Sequence, residues 1–174
     1  FEIPFVGMVP GVKPAALRSP GGRVVILATP GTLDGELYAR VVADFGGRAR
    51  ISSVSGDGLA EIVEEGKHGT ERSRLAVRGA LDGEVIAGAD TVVLGCTHYH
   101  FLADDIRAEF PQIDIVDTSE AVARRAVQVL HELDRQAPAD QAGDLNLIVT
   151  GDQAKFRSNM AKLGFAPTLM EATT

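Results

Sequence analysis

Short uninterrupted apolar runs alternate along this chain with stretches whose apolar residues recur every three or four positions. Arg23-Val-Val-Ile-Leu-Ala-Thr29 is the clearest run, apolar throughout between its end residues, as expected of a strand covered on both faces of a parallel sheet. Thr91 to Leu94 follows the same pattern, Ile113 to Val116 and Leu145 to Val149 are short strand candidates each interrupted by one polar residue, and Arg48 to Val54 is a more polar candidate. Phe1 to Val6 reads as a further extended, strand-like segment, with Pro4 tolerated at a strand start or edge.

The intervening stretches carry helix signals. Asp34 can cap a helix with Leu37, Val41, Val42 and Phe45 on one face, stopped at Gly46-Gly47. Ser55-Gly-Asp-Gly58 leads into a helix over Leu59 to Glu65, closed by Gly66. Thr70 opens another, with Leu75, Leu81 and Val85 as the expected inward positions. A helix from Phe101 to Phe110 ends at Pro111, and Asp117-Thr-Ser119 starts one whose Val122, Ala126, Val129, Leu130 and Leu133 give the clearest 3.6-residue period. Thr150-Gly-Asp152 turns into a last helix with Phe156, Met160 and Leu163 inward. Gly7 to Gly22, rich in proline and glycine, reads as a connection with one helical turn at Lys13 to Leu17. This alternation predicts an α/β fold with a mostly parallel sheet, flanking helices and right-handed crossovers.

Composition narrows the function classes. A chain of 174 residues with 45% hydrophobic content suits one domain or two small lobes with a packed core. A net charge of -7, without a Lys/Arg stripe, argues against a nucleic-acid or anionic-membrane surface. No apolar run reaches membrane-span length and no secretory signal is visible. A single cysteine excludes an internal disulfide and a cysteine-based zinc site, and fits a reducing, cytoplasmic setting. His98 and His100, with His68 and His131 elsewhere, do not make a metal-site spacing. Neither a full dinucleotide fingerprint nor a phosphate-binding loop ending in Gly-Lys-Ser/Thr occurs. The chain begins at Phe1, already in strand-like sequence, and is expected to be part of a longer protein.

Three strand ends bring hydroxyls or acids into turns: Thr29-Pro-Gly-Thr32, Gly95-Cys-Thr-His98 and Thr150-Gly-Asp152. Parallel strands gather such ends at one edge, where ligands collect. Cys96 there has a physical reason to ionise, because a following helix N-terminus and a neighbouring imidazolium both favour a thiolate. The residues alone leave blander readings open: a structural cysteine, threonines acting as caps, and Glu61, Glu64 and Glu65 as a wet helix face.

Leu94-Gly-Cys-Thr-His-Tyr99 resembles the second-half cysteine motif of glutamate racemases, members of the Asp/Glu racemase superfamily. Ile3 to Gly7 with Pro10-Gly11 and Ala15-Ala16, Ala28 to Thr32 with Tyr38, Val63-Glu64 before Gly66, and Thr150 to Asp152 with Phe156 resemble further family segments in the same order. The resemblance implies a cofactor-independent isomerase of glutamate, working between two α/β lobes with one cysteine on each face of the substrate and supplying D-glutamate for peptidoglycan. One thiolate removes the α-proton and the opposite thiol returns one. By resemblance, Cys96 is the base for the L-enantiomer, His98 helps set its charge, Thr97 binds a substrate carboxylate, Thr29 and Thr32 line the pocket, and Glu64 is the nearby acid. The family often forms homodimers.

The first cysteine, its neighbouring Asn and Thr, and an early Asp-Ser pair of the family have no counterpart here. His100 replaces the usual proline, and Ser55-Gly-Asp57 stands where many members have Cys-Pro. The chain alone is therefore expected to be inactive. Residues 10–117 are expected to form the second lobe, with 1–9 and 118–174 belonging to an incomplete first lobe that leaves apolar surface exposed. An aspartate or hydantoin racemase relative and a non-catalytic binding module of the same fold are the alternatives.

Overall fold

The computed structural model describes residues 3–143, 145–165 and 168–171. Its centre is a four-stranded, all-parallel sheet of β1 (Arg23–Ala28), β2 (Arg50–Ser55), β3 (Thr91–Leu94) and β4 (Asp114–Val116), in spatial order β2-β1-β3-β4. The two most apolar runs take the two central places. Val24 to Ala28 and all of β3 are buried, whereas β2 and β4 lie at the edges and are only partly covered.

Alternation along β1 divides its side chains between two cores. Val25 and Leu27 join Val92 and Leu94 under α4 (Leu59–Glu64), α5 (Glu71–Ile86) and α6 (Ala103–Glu109). Val24, Ile26 and Ala28 join Val93 on the other face, under α1 (Val12–Arg18) and α3 (Glu36–Phe45). The chain leaves β1 toward β2 on one side and returns past β1 to β3 on the other. That reversal opens a crevice between the carboxyl ends of β1 and β3.

Four local expectations are revised. Residues 3–6 form no strand; Pro4 supplies no N–H for a ladder, and residues 1–2 lie outside the described residues. Thr29 to Thr32 is more than a turn, because Pro30 starts a one-turn helix, α2 (Pro30–Leu33), in the first-turn position that suits proline. Asp34 ends α2 instead of capping α3. Leu75 is exposed, since α5 buries Ser73, Val77 and Leu81, and a residue two positions from Ser73 faces roughly the opposite way. Ser73 takes the inner position because it closes a reciprocal cap with Thr70, whose amide donates to the Ser73 hydroxyl at 3.0 Å.

The last third stands apart from the main sheet. α7 (Ser119–Glu132) buries none of its residues fully, and Val127, Leu130 and Leu133 remain exposed. β5 (Asn146–Val149) pairs in parallel with β6 (Thr168–Glu171), a strand the sequence pattern did not announce, across α8 (Gln153–Lys162).

Asp90 ties the entry of β3 to the connection before β1. Its carboxylate accepts hydrogen bonds from the Ser19 hydroxyl at 2.5 Å, the Gly21 amide at 2.7 Å and the Thr91 hydroxyl at 2.7 Å. Burial pushes this carboxyl upward, but the hydrogen bonds from Ser19, Thr91, Gly21 and Arg23 together hold it below the usual Asp range. The ionised group therefore contributes stability above its unfolded-state value, which is lost as pH falls through the lower folded-state value. Asp90→Asn should cost about 1 kcal/mol near neutrality, allowing for solvent screening. In urea denaturation followed against pH, the gap from wild type should narrow below about pH 4; a constant gap into strong acid would contradict the assignment. A second prediction concerns the β1–β3 contact. Gly95 donates its amide to Leu27 at 2.8 Å, and a Cβ there would stand 2.8 Å from the Ala28 Cβ and 3.1 Å from the Leu27 carbonyl oxygen. Gly95→Ala should destabilise the fold by about 1–3 kcal/mol through overpacking, and an unchanged urea midpoint would show that the strands part without strain.

Candidate active site

The crevice predicted by the strand order holds a cleft of about 410 Å³. Its polar wall consists of Cys96 and Thr97 after β3, Thr32 in α2 and Thr118 at the start of α7; Met8, Val9 and Leu37 form an apolar wall, with Tyr38 beside them. Among the described residues no charged side chain lines it. Gly95 allows the close strand approach that brings Cys96 opposite the β1 end, where Thr29 and Thr32 share a hydrogen bond of 3.0 Å between hydroxyls. Thr32 lines the cleft with Cys96 and Thr97, while Thr29 sits behind it as the residue preceding Pro30.

His98 and Glu64 belong to the same arrangement but occupy its far side. His98 Nδ1 lies 3.9 Å from Cys96 Sγ, and its Nε2 lies 3.3 Å from Glu64 Oε1. Carboxylate, imidazole and thiol thus form a continuous series. The imidazole therefore bridges the other two, with the carboxylate at one ring nitrogen and the thiol at the other. His98 and Glu64 line a second cleft of about 340 Å³, with Phe156, Met160 and Leu163 from the α8 region on its other wall.

After Cys96 the chain makes a tight turn, closed by the Tyr99 amide donating to the Cys96 carbonyl at 3.1 Å, and passes through a 3₁₀ turn over Tyr99–Leu102 before α6. The expected long helix thus begins later, at Ala103, and the Cys96 carbonyl is engaged by the turn itself. Tyr99 is completely buried. Burial, reinforced by the negative neighbours Cys96, Asp57 and Glu61, pushes its phenol far above the ordinary tyrosine range, so it remains a neutral donor.

Tyr38 and Thr118 enter the site with roles that the chain pattern did not give them. Thr118 had the signature of a helix start, yet Asp117 performs that task by accepting from the Ser119 amide at 2.8 Å, which leaves the Thr118 side chain to line the cleft. Tyr38 hydrogen-bonds Ser53 on β2, fixing the wall of α3 to the sheet. Among the described residues no group of three His, Cys, Asp or Glu side chains comes together to hold a metal ion, and no helix is long and apolar enough to cross a membrane.

Comparison with known proteins agrees in fold and sequence. The glutamate racemase of Deinococcus radiodurans is 40% identical over 166 residues, covering 94% of this chain and 57% of the relative. That of Herpetosiphon aurantiacus is 38% identical over 157 residues, covering 90% and 62%. The crystal structure of Escherichia coli glutamate racemase with L-glutamate and the activator UDP-MurNAc-ala superposes with a TM-score of 0.81 at 29% identity, over 98% of this chain and 65% of that one. The chain therefore spans less than two thirds of the length of these relatives. The Asp/Glu/Hydantoin racemase profile matches residues 1–126, and together with this level of identity that places the chain in the Asp/Glu/Hydantoin racemase family.

Proposed function

We propose that this chain forms one catalytic face of a cofactor-independent glutamate racemase. The observation that carries the reading is the Glu64–His98–Cys96 series ending in the only cysteine of the chain, on the floor of a cleft at the sheet's switch point. Relatives named glutamate racemase support glutamate as the substrate.

Inversion at Cα needs a base on one face and an acid on the other. Cys96 thiolate takes the α-proton of L-glutamate; the Cα–H bond breaks and its electron pair is delocalised into the adjacent carboxylate. A proton delivered to the opposite face then completes D-glutamate, and in the reverse direction Cys96 is the acid. Thr97, beside the thiol, donates to the substrate carboxylate and stabilises the charge that develops there. Thr32 and Thr29 shape and support the opposite wall, and His98 with Glu64 sets the charge at Cys96. The second proton-transfer group lies outside these 174 residues, which hold one cysteine. The chain alone is accordingly inactive, and the remaining lobe, joined to residues 1–9 and 118–174, closes over residues 10–117 in the full-length protein. D-Glutamate made in the cytoplasm would serve peptidoglycan synthesis.

Solvent deuterium exchange at Cα of L-glutamate, measured with the full-length protein, tests this. Wild type should incorporate deuterium while inverting the centre. Cys96→Ser should lose about 10²- to 10⁴-fold in exchange from the L-enantiomer; exchange at the wild-type rate would remove Cys96 from the mechanism. Glu64→Gln should lower kcat by roughly 3- to 30-fold with KM little changed, because it acts on Cys96 through His98 and not on bound substrate. An effect confined to KM would instead make Glu64 a substrate contact.

A further inference from the structure

The turn carrying Cys96 is anchored at its far end by a side chain that takes no part in the proton transfers. The Tyr99 hydroxyl donates a 2.9 Å hydrogen bond to the carbonyl of Gly56. Gly56 is itself held: its amide donates to Ala28 at the end of β1 at 2.9 Å, and its carbonyl also accepts the amide of Leu59, which opens α4, at 3.1 Å. The fit leaves no room for a side chain, because a Cβ at position 56 would stand 2.7 Å from the tyrosine carbon that bears the hydroxyl.

This contact joins the two segments that must meet for the site to work. Glu64 ends α4, eight residues beyond Gly56, and His98 immediately precedes Tyr99. The Glu64–His98 pair has side chains that are 56% and 34% exposed, and exposed pairs hold their own geometry weakly. Among the described residues, the Tyr99–Gly56 bond is the other side-chain hydrogen bond between the turn and the α4 segment. Asp152, which caps α8, and Lys155 within it line the same cleft as His98 and Glu64.

We propose that Tyr99 is a positioning residue: its hydroxyl, bonded to Gly56, sets α4 against the Cys96 turn and thereby holds Glu64 on the His98 nitrogen that faces away from Cys96. The catalytic consequence rests on the racemase reading, but the effect on the thiol does not. Because the buried phenol stays neutral, the hydroxyl remains a donor at every pH where the site works. In Tyr99→Phe the Gly56 carbonyl keeps the Leu59 amide and the ring keeps its packing against Leu59, Ile62 and Val63, so the fold should survive while α4 loses its buried hydrogen bond to the turn.

Iodoacetamide labelling of Cys96, resolved at the peptide level in the full-length protein across about pH 6 to 9, reads the thiolate directly. Tyr99→Phe should label about three- to tenfold more slowly near pH 7, with its profile displaced toward higher pH. Glu64→Gln should do the same, and the double variant should be no slower than Glu64→Gln alone. A wild-type profile for folded Tyr99→Phe overturns the proposal, as does a double variant whose losses multiply. Should Tyr99→Phe fail to fold, Gly56→Ala disturbs the same contact from the other side; it must displace the profile likewise, and an unshifted profile in the folded variant overturns the proposal. If these shifts hold while wild type fails to exchange the α-proton of glutamate, the positioning role stands and the racemase reading falls.

Discussion

Two parallel strands pressed together where one of them carries no side chain create the site. Gly95 continues β3 by one residue, donates its amide to Leu27 and leaves no room for a side chain against Ala28. The next residue is Cys96, which inherits its position from that contact. Because side chains alternate along a strand, a register slip of one residue would turn the thiol toward the opposite face. The buried blocks Val24 to Ala28 and Thr91 to Leu94 prevent such a slip, since each must satisfy two cores at once.

From this constraint the chemistry follows in steps. The reversal of direction between β1 and β3 opens the crevice, the turn after Gly95 points the thiol into it, and α4 supplies Glu64 behind His98. The cleft has threonine hydroxyls and an uncharged lining. The Glu64–His98 pair is partly exposed, and the buried Tyr99 hydroxyl bonds the Gly56 carbonyl between the same two segments.

Much of this was legible in the chain. The runs at 24–28 and 92–94 are apolar without interruption because both faces are covered, and the sequence shows that directly. The joining of Thr32 with Cys96 was legible only as far as parallel strands share one edge; the strand order that makes β1 and β3 neighbours comes from long-range packing. Glu64 and His98 are 34 residues apart, and no local pattern states that they touch. Leu75 was misplaced because Ser73 entered the core, paid for by its reciprocal cap with Thr70, a polar exception to apolar periodicity. β6 escaped notice because Thr168 to Glu171 combines only two apolar residues with polar ends; it becomes a strand through pairing with β5 and not through local preference.

The racemase proposal predicts where the substrate carbon lies relative to Cys96. A crystal structure of the full-length protein with bound glutamate measures this directly. The expected result is Cα within roughly 3.5 Å of Cys96 Sγ, the α-carboxylate on Thr97 and a second proton-transfer group on the opposite face of the carbon. Glutamate bound with Cα turned away from Cys96, or seated in the cleft beside Phe156 and Met160, would contradict it.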